Sequence, residues 1–449
     1  MRWQKFFKDK KVILMGLGIL GRGVGDAIFL AKHASHLHVT DLKNEKELSS
    51  SLERLKEFKN ISYTLGEHRL KDFRDVDMVV KSAGVPLDSI YVAEARKTGV
   101  PVYMSAALFT KFFMEEARGG SGVLIGVTGT KGKSTVSHLI SHILEAYFMG
   151  NRKVLLGGNA YTGSTLAFLE DMKSDDLVVL ELDSWQLQGF GDLKISPHIA
   201  VFTSFFPDHM NYYKEDMERY FEDKANIFKY QDEDRFLVSD DSSLAWIKEN
   251  YPEQSVYKLS PQAESEVRSW KMPLPGEHNA VNVILAVTAA EFFGLEMSQL
   301  RPLVEKFKGV PGRLEFIREV GGVKFYNDTT ASNPTSALFS LKAISKDKNI
   351  IFIMGGSDKG LDVSDLEKEV WRYAKNVVLL PGTGTEKLSL GEEDRTVKAQ
   401  GMKEAVEMAY NKAEPGDAVL LSPAFASFGI FKNEFDRGEQ FVMAVNKLN

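Results

Sequence analysis

The sequence predicts an α/β protein of doubly wound, mostly parallel sheets, arranged in three blocks. Short apolar runs alternate with helical periods along the whole chain. Glycine-rich turns sit directly after several of those runs. Two breaks, Gly119-Gly120-Ser121-Gly122 and Gly309-Val310-Pro311-Gly312, separate the blocks. With 449 residues, 43% of them hydrophobic and 26% charged, the chain can bury several cores. Its net charge of -6 argues against nucleic acid or an anionic membrane as the main partner. It has no cysteine, which excludes disulfides, thiol nucleophiles, iron–sulfur clusters and cysteine-type zinc sites, and which fits the cytosol.

The first block opens with Arg2, Lys5, Lys8, Lys10 and Lys11 ahead of an apolar run from Val12 to Leu20. This order is that of a signal peptide, but no small-x-small cleavage site follows. A strand over residues 11–18 and a helix over 21–32 fit better. No run of about 18 apolar residues predicts a membrane span. Gly16-Leu17-Gly18-Ile19-Leu20-Gly21 is a G-x-G-x-x-G directly after that strand, and Asp41 ends the next one about twenty residues on. Alone, this pattern suggests NAD, although any nucleotide diphosphate can use the same geometry. Ser82-Ala83-Gly84 forms a second small-residue turn, after a strand that begins at Asp77.

The second block begins with the apolar run Val123-Leu124-Ile125 and then Gly126-Val127-Thr128-Gly129-Thr130-Lys131-Gly132-Lys133-Ser134-Thr135. Glycines 129 and 132 allow a tight turn with inward amides. Lys133 supplies a cation and Ser134 a hydroxyl suited to Mg²⁺. The usual phosphate-loop pattern requires glycine at 127, where this chain has Val127. Helical spacing of Val136, Leu139, Ile140, Ile143, Leu144 and Tyr147 places a helix N-terminus against the phosphates. Leu177 to Leu180 runs into Glu181, a carboxylate at a strand end beside the nucleotide's metal. Ser184 and Gln186 follow on the loop. Asp208-His209 lies beyond a strand over 198–204, Lys224 is in the helical stretch after it, and a further helix covers 279–293. With Glu181 and Ser134 at neighbouring sheet edges, His209 reads as a metal ligand. His138 and His142 read as a solvated helix face, His33, His36 and His38 as surface groups, and the charged run 43–59 as an exposed helix.

In the third block, strands are expected at 323–327, 350–354, 377–380 and 418–421. Tyr326-Asn327-Asp328-Thr329-Thr330 follows the first, and Asp328 suits ribose hydroxyls. Gly355-Gly356-Ser357-Asp358-Lys359 follows the second, where Lys359 can meet an anion. Ser422-Pro423-Ala424 and Ala426-Ser427 follow the last. All of these motifs fall at carboxyl ends of strands, where open parallel sheets bind ligands.

Taken together, Gly16-Leu17-Gly18, Thr128 to Thr135, Gly157-Gly158-Asn159, Leu180 to Leu187, Asp208-His209-Met210, Gly276 to Asn279, Gly312 to Glu315, Asn327-Asp328 and Leu421 to Ala424 give the chain, over essentially its whole length, a pattern that resembles the Mur ligases. The resemblance implies three domains: a Rossmann-like N-terminal domain (1–119) for a UDP-linked substrate, a central P-loop ATPase domain (120–309) and a Rossmann-like C-terminal domain (310–449) for the amino acid. It implies an ATP-dependent amide-bond ligase that adds D-glutamate to UDP-N-acetylmuramoyl-L-alanine through an acyl phosphate, in peptidoglycan precursor synthesis. ATP and two Mg²⁺ ions would serve a cytoplasmic monomer that binds no nucleic acid and has no stable membrane association.

Residue by residue, the resemblance assigns Gly18, Asp41, Ser82 and Gly84 to the UDP moiety, and Asn159, Ser184 and Gln186 to the rest of that substrate. Gly129, Thr130, Lys131, Gly132, Lys133, Ser134 and Thr135 hold the ATP phosphates, and Asn279 and Asn282 lie by the adenine. Arg313 and Asp328 serve the ATP phosphate and ribose. Ser134, Glu181, His209 and Lys224 hold metal, with Lys224 matching a lysine that is carbamylated. Lys133, His209, Lys224 and Arg313 are the catalytic set, and Lys359 and Ser427 meet the incoming amino acid.

The chain departs from the family pattern in places. Members that add D-glutamate follow Asn-Asp with Ser-Lys-Ala-Thr, whereas here Thr329-Thr330-Ala331-Ser332 lacks that lysine. Glu434 stands where a phenylalanine is usual, with Phe435 one position on. Phe205-Phe206-Pro207 before Asp208 is also unusual. The same ligation with L-glutamate or another amino acid therefore stays open, as do folate-type chemistry, an NAD-dependent oxidoreductase and a non-catalytic nucleotide sensor. The glycine turn of the first block speaks against the folate reading.

Overall fold

A computed structural model describes every residue of the chain except 1, 19, 20, 161, 162, 233, 234, 272–276, 359, 428 and 449. Lys359, together with Ile19, Leu20 and Gly276 of the motifs above, therefore lies outside the described residues. The chain divides into two compact units, Met1–Phe307 and Lys308–Asn449.

The first unit holds two five-stranded sheets. β1 (Lys11–Met15), β2 (His36–Asp41), β3 (Ile61–Leu65), β4 (Met78–Lys81) and β5 (Val102–Met104) run parallel in the order β3-β2-β1-β4-β5. Val12 to Met15 are buried, as a strand covered by helices on both faces requires. Strand order reverses between β1 and β4, which opens a crevice at their carboxyl ends. β6 (Val123–Thr128), β7 (Val154–Gly158), β8 (Leu177–Glu181), β9 (Ile199–Phe202) and β10 (Phe236–Ser239) form the second parallel sheet, in the order β10-β9-β6-β8-β7. One apolar core, from Trp3 and Phe29 through Phe109 and Phe113 to Phe190 and Ile247, serves both sheets.

The N-terminal basic segment is helix Arg2–Phe7, and the apolar run after it enters β1. β1 ends at Met15, three residues earlier than expected, because Gly16 turns out of the strand at φ 96° and gives its N–H to Thr40 O. The charged run 43–59 contains only a five-residue helix, Ser49–Glu53.

The histidines expected on the surface are partnered and half-buried. His36 and His38 share the Ser62 hydroxyl, and His33 reaches Glu170. His138 and His142 are no solvated face either: they bond Ser134 O and Leu303 O.

Helix Arg22–His33 packs the first sheet against the second and buries Asp26, which accepts from Ser164 Oγ. Burial pushes the Asp26 carboxyl up to about 6, against the opposing pull of Ser164, Ser105 and Arg22. Between about pH 4 and 6 the folded state therefore keeps a proton that the unfolded chain has released, so stability falls as pH rises through that window, by up to about 3 kcal/mol. Asp26→Asn keeps an acceptor for Ser164 and removes the titration. Its melting temperature should vary less between pH 4 and 6 and exceed that of the wild type at pH 7. A variant with the wild-type pH slope would contradict this account.

The second unit contains β11 (Glu315–Val320), β12 (Val323–Asn327), β13 (Ile350–Met354), β14 (Ala374–Leu379), β15 (Thr396–Lys398) and β16 (Ala418–Leu421), ordered β11-β12-β16-β13-β14-β15. Only the β11–β12 edge pair is antiparallel. Separate apolar cores fill the two faces, one around Phe325, Ile353 and Phe441 and the other around Phe352, Leu366 and Leu420. Asn327 pairs with Leu421, so the turns after β12 and β16 lie side by side at one sheet edge.

Candidate active site

The phosphate loop leaves the central strand β6 and enters helix Lys133–Phe148. Gly132, at φ 88°, occupies the N-cap without a side-chain cap, so the first-turn amides point into the loop. A Cβ at Gly132 would collide with Asn282 Oδ1, which brings helix Glu277–Glu291 against the loop. Asn279 accepts from Asn282 Nδ2 at 3.2 Å. The neighbouring strand end braces the other side: Thr130 N donates to Ser204 O and Lys131 N to Ser204 Oγ. Lys133 arches back, with Nζ 2.9 Å from Gly129 O and 3.0 Å from Thr130 O. Its ammonium thus lies over the concave face of the loop.

Ser134 Oγ donates to Glu181 Oε1 at 2.9 Å, and both residues are buried. Register explains the meeting, since Glu181 ends β8 opposite Val127 of β6. A hydroxyl and a carboxylate beside a phosphate cradle are hard oxygen donors. They fit Mg²⁺, which takes one or two protein ligands and fills its shell with phosphate and water.

Lys224 is 1% exposed, its Nζ 2.9 Å from Gly129 O and over the Tyr220 ring. Burial, and then the charge of Lys133, hold its pKa well below the usual lysine range. His209 is exposed at φ 56°, and its ring packs 4.7 Å from Trp185. Among the described residues no three His, Asp or Glu side chains converge on one metal position. The structure thus pairs Ser134 with Glu181 but does not bring His209 to them as a ready-made cluster. The unusual Phe205-Phe206-Pro207 segment supports the loop: Phe205 packs among Phe202, Tyr220 and Trp246, and the Phe206 backbone bonds Thr130 Oγ1.

At the crevice of the first sheet, a Cβ on Gly16 would strike Ser82, so the two small-residue turns touch across β1 and β4. Gly84 beside them faces open space. Asp41 is buried and accepts from Gly18 N at 2.9 Å and Lys43 N at 2.8 Å. It braces the glycine turn rather than projecting from it. Ser184 and Gln186 are likewise buried, in a helix cap: Asp183 accepts from Gln186 N, and Gln186 Oε1 accepts from Asp183 N. Asn159 lies beside this cap, donating from Nδ2 to Asp183 Oδ2 and from its backbone to Glu181 O.

In the second unit Asp328 accepts from Leu314 N at 3.1 Å and Ser422 Oγ at 2.7 Å, and burial raises its pKa to about 6. Arg313, exposed and adjacent in sequence to Leu314, pulls the Asp328 pKa the other way through its charge. Thr330 bonds Gly312 O through both N and Oγ1, and Thr329 Oγ1 donates to Glu434 O. Arg437, fully buried, donates to Thr329 Oγ1, Thr329 O and Phe425 O, and burial lowers its pKa to about 10. Ser427 is buried near this network.

Sequence reasoning missed Arg22, Asp183 and Arg437. The Asp183-x-x-Gln186 spacing is a capping-box signal that identified Asp183 in principle. Arg22, first after the glycine turn, and Arg437, within a helix, carried no such signal.

Profiles of known families match three stretches: the Mur ligase MurD-like N-terminal domain over residues 10–104, the Mur ligase middle domain over 127–290 and the Mur ligase glutamate ligase domain over 312–425. The UDP-N-acetylmuramoylalanine–D-glutamate ligase of Roseiflexus sp. (strain RS-1) is 36% identical, covering 96% of this chain and 97% of that protein. The chain belongs to the Mur ligases. A Mur ligase of the same description from Borreliella burgdorferi is 33% identical over 98% of both chains. Among solved structures, the fold of this Mur ligase matches UDP-N-acetylmuramate-alanine ligase from Thermotoga maritima with a TM-score of 0.56, 18% identity and coverage of 97% and 99%. The UDP-N-acetylmuramoylalanyl-D-glutamyl-2,6-diaminopimelate–D-alanyl-D-alanyl ligase from Acinetobacter baumannii matches at 0.55, with 18% identity and coverage of 92% and 91%. Mur ligases are ATP-dependent, so the reading of the chain as an NAD-dependent oxidoreductase falls. No described helix is long and apolar enough to cross a membrane.

Proposed function

We propose that this Mur ligase joins D-glutamate to UDP-N-acetylmuramoyl-L-alanine at the expense of ATP. The observation that carries the reading is the double use of Glu181. Its carboxylate bonds Ser134 of the phosphate loop, and its carbonyl accepts from Asn159 N. Nucleotide and acyl substrate thus have candidate groups on either side of one residue. The full-length relatives named for this reaction support the choice of substrates.

In the proposed reaction a carboxylate oxygen of the acyl substrate attacks the γ-phosphorus of ATP and ADP leaves. The glutamate amine then attacks the acyl carbon, loses a proton and expels phosphate. Lys133, with the loop amides of residues 129–135, neutralises charge on the transferring phosphoryl group. Asn159 orients the acyl substrate, with Ser184 and Gln186 shaping the wall behind it. Gly18, Ser82 and Gly84 receive the diphosphate end, where Asp41 holds the turn. Asn279 and Asn282 serve the adenine side, Arg313 and Asp328 the ATP phosphate and ribose, and Ser427 the amino acid, with Lys359 as its cation.

Ser134, Glu181, His209 and carbamylated Lys224 would hold Mg²⁺, which when bound screens the phosphate charge. Lys224 is suited to carbamylation because a buried neutral amine has a free lone pair for CO₂. As the N–C bond forms, one C=O π bond of CO₂ opens onto oxygen, a proton leaves the nitrogen, and the neutral amine becomes an anion. Residues 1–119, 120–309 and 310–449 are the corresponding functional divisions, in a cytoplasmic monomer.

The test is phosphate release from ATP with UDP-N-acetylmuramoyl-L-alanine and, separately, D-glutamate, L-glutamate and other amino acids. Release should depend on D-glutamate. No amino-acid-dependent release with any of them would sink the ligase reading. The Thr329 to Ser332 sequence favours one second reading, L-glutamate, because it lacks the lysine of the D-glutamate pattern. A preference for the L-isomer would move the reading there.

A further inference from the structure

The segment after β7 belongs to the ATP-binding sheet, yet helix Arg22–His33 of the first sheet holds it at two points. Arg22 donates from Nη1 to Asn159 Oδ1 at 2.7 Å and from Nη2 to Asn159 O at 3.0 Å. Further along the segment, Ser164 Oγ donates to Asp26 Oδ1 at 2.5 Å. Arg22 and Asp26 are i and i+4, on one face of the helix. Between them Gly25 allows close approach, since a Cβ there would lie 2.8 Å from Ser164 Cβ. Arg22 is also the first helical residue after Gly21, the last glycine of the turn assigned to the diphosphate.

This arrangement removes the freedom of the Asn159 carboxamide. A guanidinium only donates, so the group facing Arg22 is the amide oxygen. Nδ2 then points to Asp183 Oδ2, 2.7 Å away. The second guanidinium bond, to the Asn159 carbonyl, fixes the backbone as well. One N–H and one lone pair remain on the carboxamide for a ligand.

We propose that Arg22 is a positioning residue for the ligation: it sets the Asn159 carboxamide for the acyl substrate and ties it to the glycine turn that receives the nucleotide diphosphate. The proposal rests on the assignment of Asn159 to the muramoyl substrate. Methionine at 22 replaces the aliphatic stem but donates nothing. Lysine keeps the charge and can satisfy one acceptor, not both in the plane of a fork.

The experiment is a double-mutant cycle on the full-length protein with Arg22→Met, Arg22→Lys, Asn159→Ala and the combined variants. Steady-state phosphate release and melting temperature are measured for each. Loss of charge-assisted bonds to Asn159 should lower kcat/KM for the UDP substrate at least about tenfold in Arg22→Met, while KM for ATP stays within about twofold. Arg22→Lys should recover part of the loss. In the Asn159→Ala background the Arg22 substitutions should cost much less activity, because the carboxamide is gone and only the bond to the backbone carbonyl at 159 is left to lose. Losses that multiply across the cycle, or an Arg22→Met enzyme equal to wild type, overturn the proposal. If Arg22→Met fails to fold, Arg22→Lys carries the same cycle, and a defect that persists undiminished beside Asn159→Ala overturns it. A wild-type protein without amino-acid-dependent release overturns the functional reading itself. An active wild type with additive losses overturns only the role of Arg22.

Discussion

Lys133→Ala will lower kcat/KM for phosphate release about a thousandfold, with little change in melting temperature. Removing one donor aimed at developing charge in a site of this kind costs about 3–4 kcal/mol of transition-state stabilisation. Lys133 bonds two loop carbonyls, at Gly129 and Thr130, and stands over the cradle that those residues form. Alanine leaves the loop amides and the Ser134–Glu181 pair in place, so nucleotide can still bind. What disappears is the positive charge that bends back over the cradle; Lys131, the other lysine of the loop, is exposed and lies near Asp208. Steady-state kinetics alongside a thermal melt checks this. Activity within tenfold of wild type, in a folded protein, would mean that another cation serves the phosphoryl group.

Lys224→Ala should cost about a hundredfold or more, and here the diagnostic result is rescue. The Lys224 side chain is 1% exposed, and burial followed by the charge of Lys133 shifts it toward the neutral amine. As an unmodified amine it ties the phosphate loop through Gly129 O. As a carbamate it would present two anionic oxygens at the same place. Formate or acetate can occupy the space left by alanine and supply such oxygens, so added short carboxylates should restore part of the rate. Intact-mass measurement of the wild type under CO₂ should show the added carboxyl. Loss of activity without rescue and without the mass increment would leave Lys224 as a structural tie alone.

Much of this architecture was readable because parallel strands buried on both faces are written as uninterrupted apolar runs. Val12 to Met15, Ile350 to Met354 and Ala418 to Leu421 are of this kind. Two of the strands that went unread, β3 and β11, lack that signature. β3 alternates Ile61, Tyr63 and Leu65 with polar residues at a sheet edge, and β11 carries Arg318 and Glu319 on an antiparallel edge open to solvent. The phosphate loop was legible down to single residues because its chemistry is local in sequence. Asn159, and the roles given to Ser184 and Gln186, came only through family resemblance, and the actual partners of these residues were not legible at all. Arg22 meets Asn159 across 137 positions and Arg437 meets Thr329 across 108. No local pattern records such a pairing, which depends on how one sheet is laid against another or one helix against a distant turn. Asp41 marks the same limit from the other side. Its position at the end of β2 was correctly read, but its two bonds to backbone amides make it part of the turn's frame.

The buried guanidinium of Arg437 has a consequence for how the amino-acid preference of such an enzyme can change over generations. It joins the Thr329 turn to the Phe425 turn through three bonds to neutral oxygens, and among the described residues no carboxylate hydrogen-bonds it. A backbone held this way resists remodelling by insertion or loop shift, since any such change strands a charge in the interior. New preferences are therefore reached by exchanging side chains one at a time on a fixed frame, at positions such as Thr330 and Ser332. A small library confined to those positions explores the accessible diversity better than one that varies loop length.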